Sequence, residues 1–315
     1  MNLFKRLIQW PPVQLASSLV FGVVDSVEGV LYGALGLDRR PEFFRDWQSD
    51  RLAFDPPAVY PLVHPRGTPS PPFSVADARA NYTAAVVPRR LPPAEIEPWL
   101  PAGFGLDPAY ADKRGRYPVC YTFGYHQDLR RVWMIANGIN YLEVCIGILG
   151  VRHLSAKPGF QGPFVFMPRL DLNRLYPTVL GRMVGLPKHW VRISATTARY
   201  SVSDKYEASF APYGSRAKPG DFPLLVPWQE LLSMPLVTET SIGHLYMYFD
   251  WGWPYSWIQP VRGSLECREP AIACMPRGRF DFRGIDEDPA GAFRIAMPWE
   301  MQAPFSRQSI PRVSP

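Results

Sequence analysis

The chain has 315 residues, 47% hydrophobic and 14% aromatic, and 34 Lys and Arg against 28 Asp and Glu give it a net charge of +6. That balance describes a globular protein with a real core, in one large domain or a domain with an extension, and its 36 prolines and 24 glycines argue against a helical bundle and for short strands joined by turns. The positive charge is dispersed in pairs such as Arg89-Arg90, with no finger, zipper or RNP-like pattern, so nucleic acid is not an expected partner.

Residues 1–37 begin with Lys5 and Arg6, pass Pro11-Pro12 and run uncharged from Val13 to Val24. A secretory signal starts this way, but no small-x-small cleavage site follows, and apolar residues continue past Asp25 and Glu28. A membrane span needs about 20 uncharged apolar residues, and this run falls short. Leu15, Leu19, Val23, Val27, Val30 and Leu31 fall near one helical face. The segment is therefore expected as a helix packed on the domain or on a partner subunit, with peripheral membrane contact as the alternative. Residues 38–73 hold Pro56-Pro57, Pro61, Pro65, Pro69 and Pro71-Pro72 and are expected as a linker. The main domain is expected over 74–304 and a loose tail over 305–315.

Within the domain, 82–88 reads as a first strand running into Arg89-Arg90, and 92–101 as a short helix that proline closes. Residues 117–125 alternate as a strand and continue into His126. Residues 140–151 form a second strong strand whose one charge is Glu143, an acid that is either buried with a partner or faces a cavity. Strands follow over 191–202, 205–212 and 261–267, and 227–232 reads as a lid or connector. Residues 242–257 are the most aromatic stretch, and in a strand alternate members can line a pocket. Many short strands in succession argue for a closed antiparallel sheet, a mainly β (α+β) barrel or cone with a few short helices. Cys120, Cys145, Cys267 and Cys274 have no C-x-x-C spacing and read as free thiols in a reducing, cytoplasmic setting, with no disulfide forced. The five histidines have no metal-ligand spacing, so no metal is expected.

Between these strands lies Gly181-Arg182-Met183-Val184-Gly185-Leu186-Pro187-Lys188-His189. Most lysines are solvated, with a pKa near ~10.4. A lysine behind a proline in an apolar passage can differ, because burial penalises its charged form and leaves a nucleophilic amine.

The segment from Gly181-Arg182 to Leu186-Pro187-Lys188 resembles the lysine segment of the acetoacetate decarboxylase family, in which the lysine after the proline forms a Schiff base. Tyr141-Leu142-Glu143 resembles the family's Tyr-x-Glu segment, and Leu170, Asp171, Leu172, Asn173 and Pro177 resemble its lead-in. The match is specific over about 140–193 and keeps register over about 81–298. It implies a β-barrel-like fold, a homo-oligomer, a small-molecule keto-acid substrate and no cofactor. Lys188 would be the Schiff-base lysine. Arg90, with Arg89 one residue away, would pair the substrate carboxylate, and Glu143 would hold Arg90 or handle protons. Tyr141 and Tyr121 would face the substrate, Tyr121 standing where the family has an acid, and His189 stands where the family has a second lysine. These two departures, with the long N-terminal extension, point to a larger, more apolar keto substrate than acetoacetate. The expected activity is decarboxylation of a β-keto acid. The alternatives are aldol condensation, dehydration or cyclisation through the same iminium, and a non-catalytic barrel that binds a hydrophobic ligand.

Overall fold

The computed structural model describes residues 23, 24, 26–28, 30, 31, 34, 78–131, 139–156, 161–183, 186–196, 198–240, 243–247, 249–269 and 273–301. The linker and tail expected at 38–73 and 305–315 lie outside these residues. Three long strands rich in β-branched and aromatic residues make the centre: β1 (Ala78–Leu91), β3 (Tyr117–Arg131) and β4 (Ile139–His153), with the short β2 (Phe104–Leu106) on the edge of β4. Between β1 and β2 a proline-started turn of helix, α1 (Pro93–Ile96), buries Ile96. Then come β5 (Phe164–Leu172), helix α2 (Leu175–Met183), β6 (Lys188–Trp190), β7 (Ile193–Ala195), β8 (Arg199–Val202) and β9 (Tyr206–Pro212). Helix α3 (Val226–Leu232) precedes β10 (Leu236–Thr240), β11 (Gly243–Met247), β12 (Phe249–Trp251), β13 (Trp257–Cys267), β14 (Gly278–Phe282) and β15 (Phe293–Met301).

The mainly β expectation holds, but the closed antiparallel barrel does not. Among the described residues the sheet runs in the order β11-β10-β5-β4-β3-β1-β15-β13-β9-β8-β7, open at both ends. The reason lies at β5. Its outer edge is split between two short strands, β10 at its start and β6 at its end, and both pair with it in parallel. Neither carries a long antiparallel ladder round to β7. The parallel β5–β6 pairing is made possible by the α2 crossover. The strand expected over 191–202 is in fact β7 and β8, paired as a hairpin. The 227–232 stretch expected as a lid is the core helix α3, whose Trp228 and Leu231 are buried.

Both faces of the central strands are covered, so their two-residue alternation sorts side chains between two interiors. On β4, Leu142, Val144, Ile146 and Ile148 enter the main core, while Tyr141, Glu143, Cys145, Gly147 and Leu149 line a cavity on the other face. On β3, Tyr121 and Phe123 go to the core, and Cys120, Thr122 and His126 to the cavity. Gly124 is needed there because a Cβ on it would lie 2.2 Å from the Tyr82 hydroxyl.

Among its described residues, the N-terminal segment touches the domain through a charge, Glu28. Val23, Val27, Val30 and Leu31 are exposed, Val30 by 73%, whereas Glu28 is buried. Its carboxylate accepts hydrogen bonds from the backbone N–H of Leu175 (2.7 Å) and Tyr176 (3.3 Å), and Arg174 Nε stands 3.6 Å away. Two of the unpaired donors at the start of α2 are thus satisfied, and the third residue, Pro177, has no N–H to satisfy. Glu28→Ala is expected to destabilise the protein by about 2 kcal/mol, with Glu28→Gln recovering part of the loss, as read from urea-unfolding midpoints.

Candidate active site

The sequence around Lys188 is organised to carry one side chain into the cavity. Pro187 O accepts from Leu170 N (3.1 Å), which sets β6 beside β5 with Lys188 opposite Leu170. Arg182 Nε donates to Lys188 O (2.6 Å) and ties β6 to α2. The Lys188 side chain then lies over Gly181, where a Cβ would come within 2.2 Å of Lys188 Cδ and 2.5 Å of Cε. The Gly-Arg pair therefore has a local physical meaning: the glycine clears the path of the lysine, and the arginine fixes its backbone. Asn173 secures the acid in turn, its Oδ1 accepting from Leu142 N at 2.8 Å, next to Glu143.

Gly181→Ala separates this role from stability. Alanine favours a helix interior over glycine by up to ~1 kcal/mol, so the melting temperature is expected to change little. Covalent labelling of Lys188 by a carbonyl reagent is expected to fall at least tenfold, because Cδ and Cε must move. Peptide mapping of labelled wild type and variant checks it.

Lys188 is 8% exposed, and its ammonium donates to Pro177 O at 3.2 Å and lies 5.8 Å from the Tyr141 ring centroid. Burial pushes its pKa below the ordinary lysine value, and the nearby Glu143 carboxylate pulls part of the way back. Burial alone would raise the Glu143 carboxyl. The His126 imidazole and Lys188 more than offset this and hold the acid below its ordinary value.

His126 is a site residue that the strand pattern alone does not single out, although it stands opposite Tyr141 in the β3–β4 register. It stacks between Tyr82 (4.4 Å between centroids) and Tyr141 (4.6 Å). Its Nδ1 lies 3.2 Å from Trp299 Nε1 and its Nε2 lies 3.2 Å from Glu143 Oε1. An indole N–H can only donate. Nδ1 therefore faces the Trp299 donor, and Nε2 is the ring nitrogen placed to donate to Glu143. The chain Trp299–His126–Glu143 fixes the carboxylate on the cavity wall, and the Tyr200 hydroxyl holds its backbone from the core side, 3.1 Å from Glu143 O.

Of the six residues proposed from sequence, Lys188, Glu143 and Tyr141 share the cavity lining, and Arg90, Tyr121 and His189 do not. Tyr121 has the wrong parity on β3. It is fully buried in the core and donates to Cys274 O. Arg90 has the parity of Val86, which lines the cavity, but stands about 13 Å further along β1. Its guanidinium donates to Tyr110 O (3.0 Å) and lies 5.9 Å from the Trp228 ring. Glu143 therefore holds His126 and not Arg90. Arg89 points to the opposite face, over Phe280. His189, next to Lys188 on a strand, points away from it and pairs in register with Asp171. Lys188 owes its depressed pKa to burial first, not to a cationic neighbour.

The cavity has a volume of about 230 Å³, and Glu143 and Lys188 are the charged residues among its described lining, with no arginine. From the aromatic stretch, Met247, Phe249, Trp251 and Trp253 line the cavity, whereas Trp257 lies under Lys218.

No family model and no curated protein matches the chain. Among solved structures, its fold is similar to that of an acetoacetate decarboxylase-like enzyme from Sphingomonas wittichii RW1, at 14% identity and a TM-score of 0.48 over 72% of this chain and 90% of the other. It is also similar to the enduracididine biosynthesis enzyme MppR. The MppR structure with the condensation product of pyruvate and imidazole 4-carboxaldehyde matches at 15% identity and a TM-score of 0.45, over 74% of this chain and 87% of that one. The MppR complex with pyruvate matches at 14% identity and a TM-score of 0.46, over 74% and 88%. These are likenesses of chain path alone. Among the described residues no helix is long and apolar enough to cross a membrane.

Proposed function

We propose that this protein is a Schiff-base-forming carbon–carbon lyase whose nucleophile is Lys188. The observation that carries the reading is a lysine buried in an apolar cavity, its pKa lowered chiefly by that burial. Neutral Nζ adds to the carbonyl carbon of a keto substrate, water leaves, and an iminium forms. With a β-keto acid, the electron pair of the bond to the carboxylate carbon flows into the iminium, carbon dioxide departs, and an enamine remains. Protonation at carbon and hydrolysis release the ketone and the amine.

A second reading keeps the iminium and changes the step after it. Glu143 is held as a carboxylate, and no arginine among the described lining residues waits for a substrate carboxylate. A base in that position suits removal of the proton α to the iminium, the first step of aldol condensation, dehydration or cyclisation.

Borohydride reduction in the presence of β-keto acids and simple ketones tests the common step. The expected result is a mass increment on the peptide containing Lys188. A folded protein that gives no adduct with any carbonyl compound would overturn the proposal. Carbon dioxide release from the trapped β-keto acids then separates the two readings.

A further inference from the structure

The cavity wall is mostly apolar, and its hydrogen-bonding groups are few. The hydrogen-bonding groups sit on the central strands: Tyr82, Thr122, His126, Tyr141 and Glu143, with Lys188 on β6. Part of the rest of the wall comes from the segment after α3 (Met234), from β11 (Met247), β12 (Trp251), the turn after it (Trp253) and β15 (Met297 and Trp299), and presents three thioethers and three indoles. Each indole N–H is already used by the protein. Trp251 Nε1 donates to Leu232 O (2.9 Å), Trp253 Nε1 to Ser233 Oγ (2.9 Å) and Trp299 Nε1 to His126 Nδ1 (3.2 Å). Only ring faces and thioethers are left for a ligand, and thioethers adapt to irregular apolar shapes.

From this we infer that the substrate is a carbonyl compound whose carbonyl lies at Lys188 and whose remaining body is uncharged hydrocarbon. The inference rests on the Schiff-base reading for its carbonyl end and on the spent indole donors for its apolar end. A charge carried against these residues would meet no partner among them and would be rejected at high cost. A hydrocarbon chain gains with each methylene it buries, about fourfold in affinity per group until the wall is filled. Pyruvate-sized acids would leave most of the apolar wall uncovered.

The test uses the full-length wild-type protein and two ligand series. One is linear methyl ketones of rising chain length. The other is the same ketones bearing a carboxylate at the far end. Tryptophan fluorescence reads binding, and borohydride trapping with peptide mapping reads the adduct. The ketones are expected to tighten about fourfold per methylene over the first several, and each carboxylated analogue to bind about a hundredfold more weakly than its match. An affinity flat in chain length, or equal capture of the carboxylated series, overturns the inference even where Lys188 is trapped. Chain-length-dependent binding without any adduct overturns the Schiff-base reading and leaves an apolar-ligand site.

Discussion

Lys188→Ala is expected to abolish borohydride trapping and to lower turnover of a trapped substrate by roughly 10⁴-fold or more, the scale seen when a covalent nucleophile is removed. The fold should survive. Burial already disfavours the Lys188 charge, so its removal relieves a desolvation cost while giving up one hydrogen bond, to Pro177 O. These terms oppose each other and are each on the order of 1–3 kcal/mol. A melting temperature near wild type is the control that makes the activity loss interpretable. Lys188→Arg then decides between a nucleophile and a counter-ion for Glu143. Arginine keeps the positive charge but cannot be deprotonated in a protein. If Lys188 acts as an amine, the arginine variant is as inactive as alanine. If activity persists in it, Lys188 is not the nucleophile and serves as a counter-ion for Glu143.

Much of this site is legible in the sequence because its organising rules are local. Lys188 behind Pro187, Gly181 beneath the lysine chain and the period-two strand around Glu143 all rest on residues close together in the chain. Glu143 and Tyr141 share a face because they stand two apart on one strand. The same rule, applied to β6, turns His189 away from Lys188, since neighbours on a strand point to opposite sides. Tyr121 and Arg90 lie off the cavity for different reasons. The parity of Tyr121 is legible, but which face of β3 holds the cavity depends on what covers each face, namely the main core on one side and β15 with α3 on the other. Arg90 has the right parity, and its distance from the cavity emerges only once Val86 is placed on the wall. The open sheet is hidden from the sequence because closure depends on whether distant edges meet, and here the short parallel strands β6 and β10 share one edge of β5. His126 is hidden as well, because its importance comes from cross-strand pairing with Tyr141 and from Trp299, 173 positions away.

Glu143→Gln separates the electrostatic and chemical roles of the acid, because it moves two observables in opposite senses. In the wild type the carboxylate pulls the depressed pKa of Lys188 partly back up. Removing its charge leaves burial less opposed, so the Lys188 pKa should fall further. The reactive form is the neutral amine, and its fraction rises as pH climbs through that pKa. The midpoint of the pH profile for Lys188 labelling should therefore shift to lower pH in the variant, and labelling below the wild-type midpoint should become faster. Turnover should nevertheless drop by about 10²–10⁴-fold, since the amide cannot take or return a proton. A substitution that merely disturbed packing would lower both quantities together. A midpoint that moves up in Glu143→Gln would mean that Glu143 does not act on the lysine through its charge, and the role of the acid would have to be sought in packing.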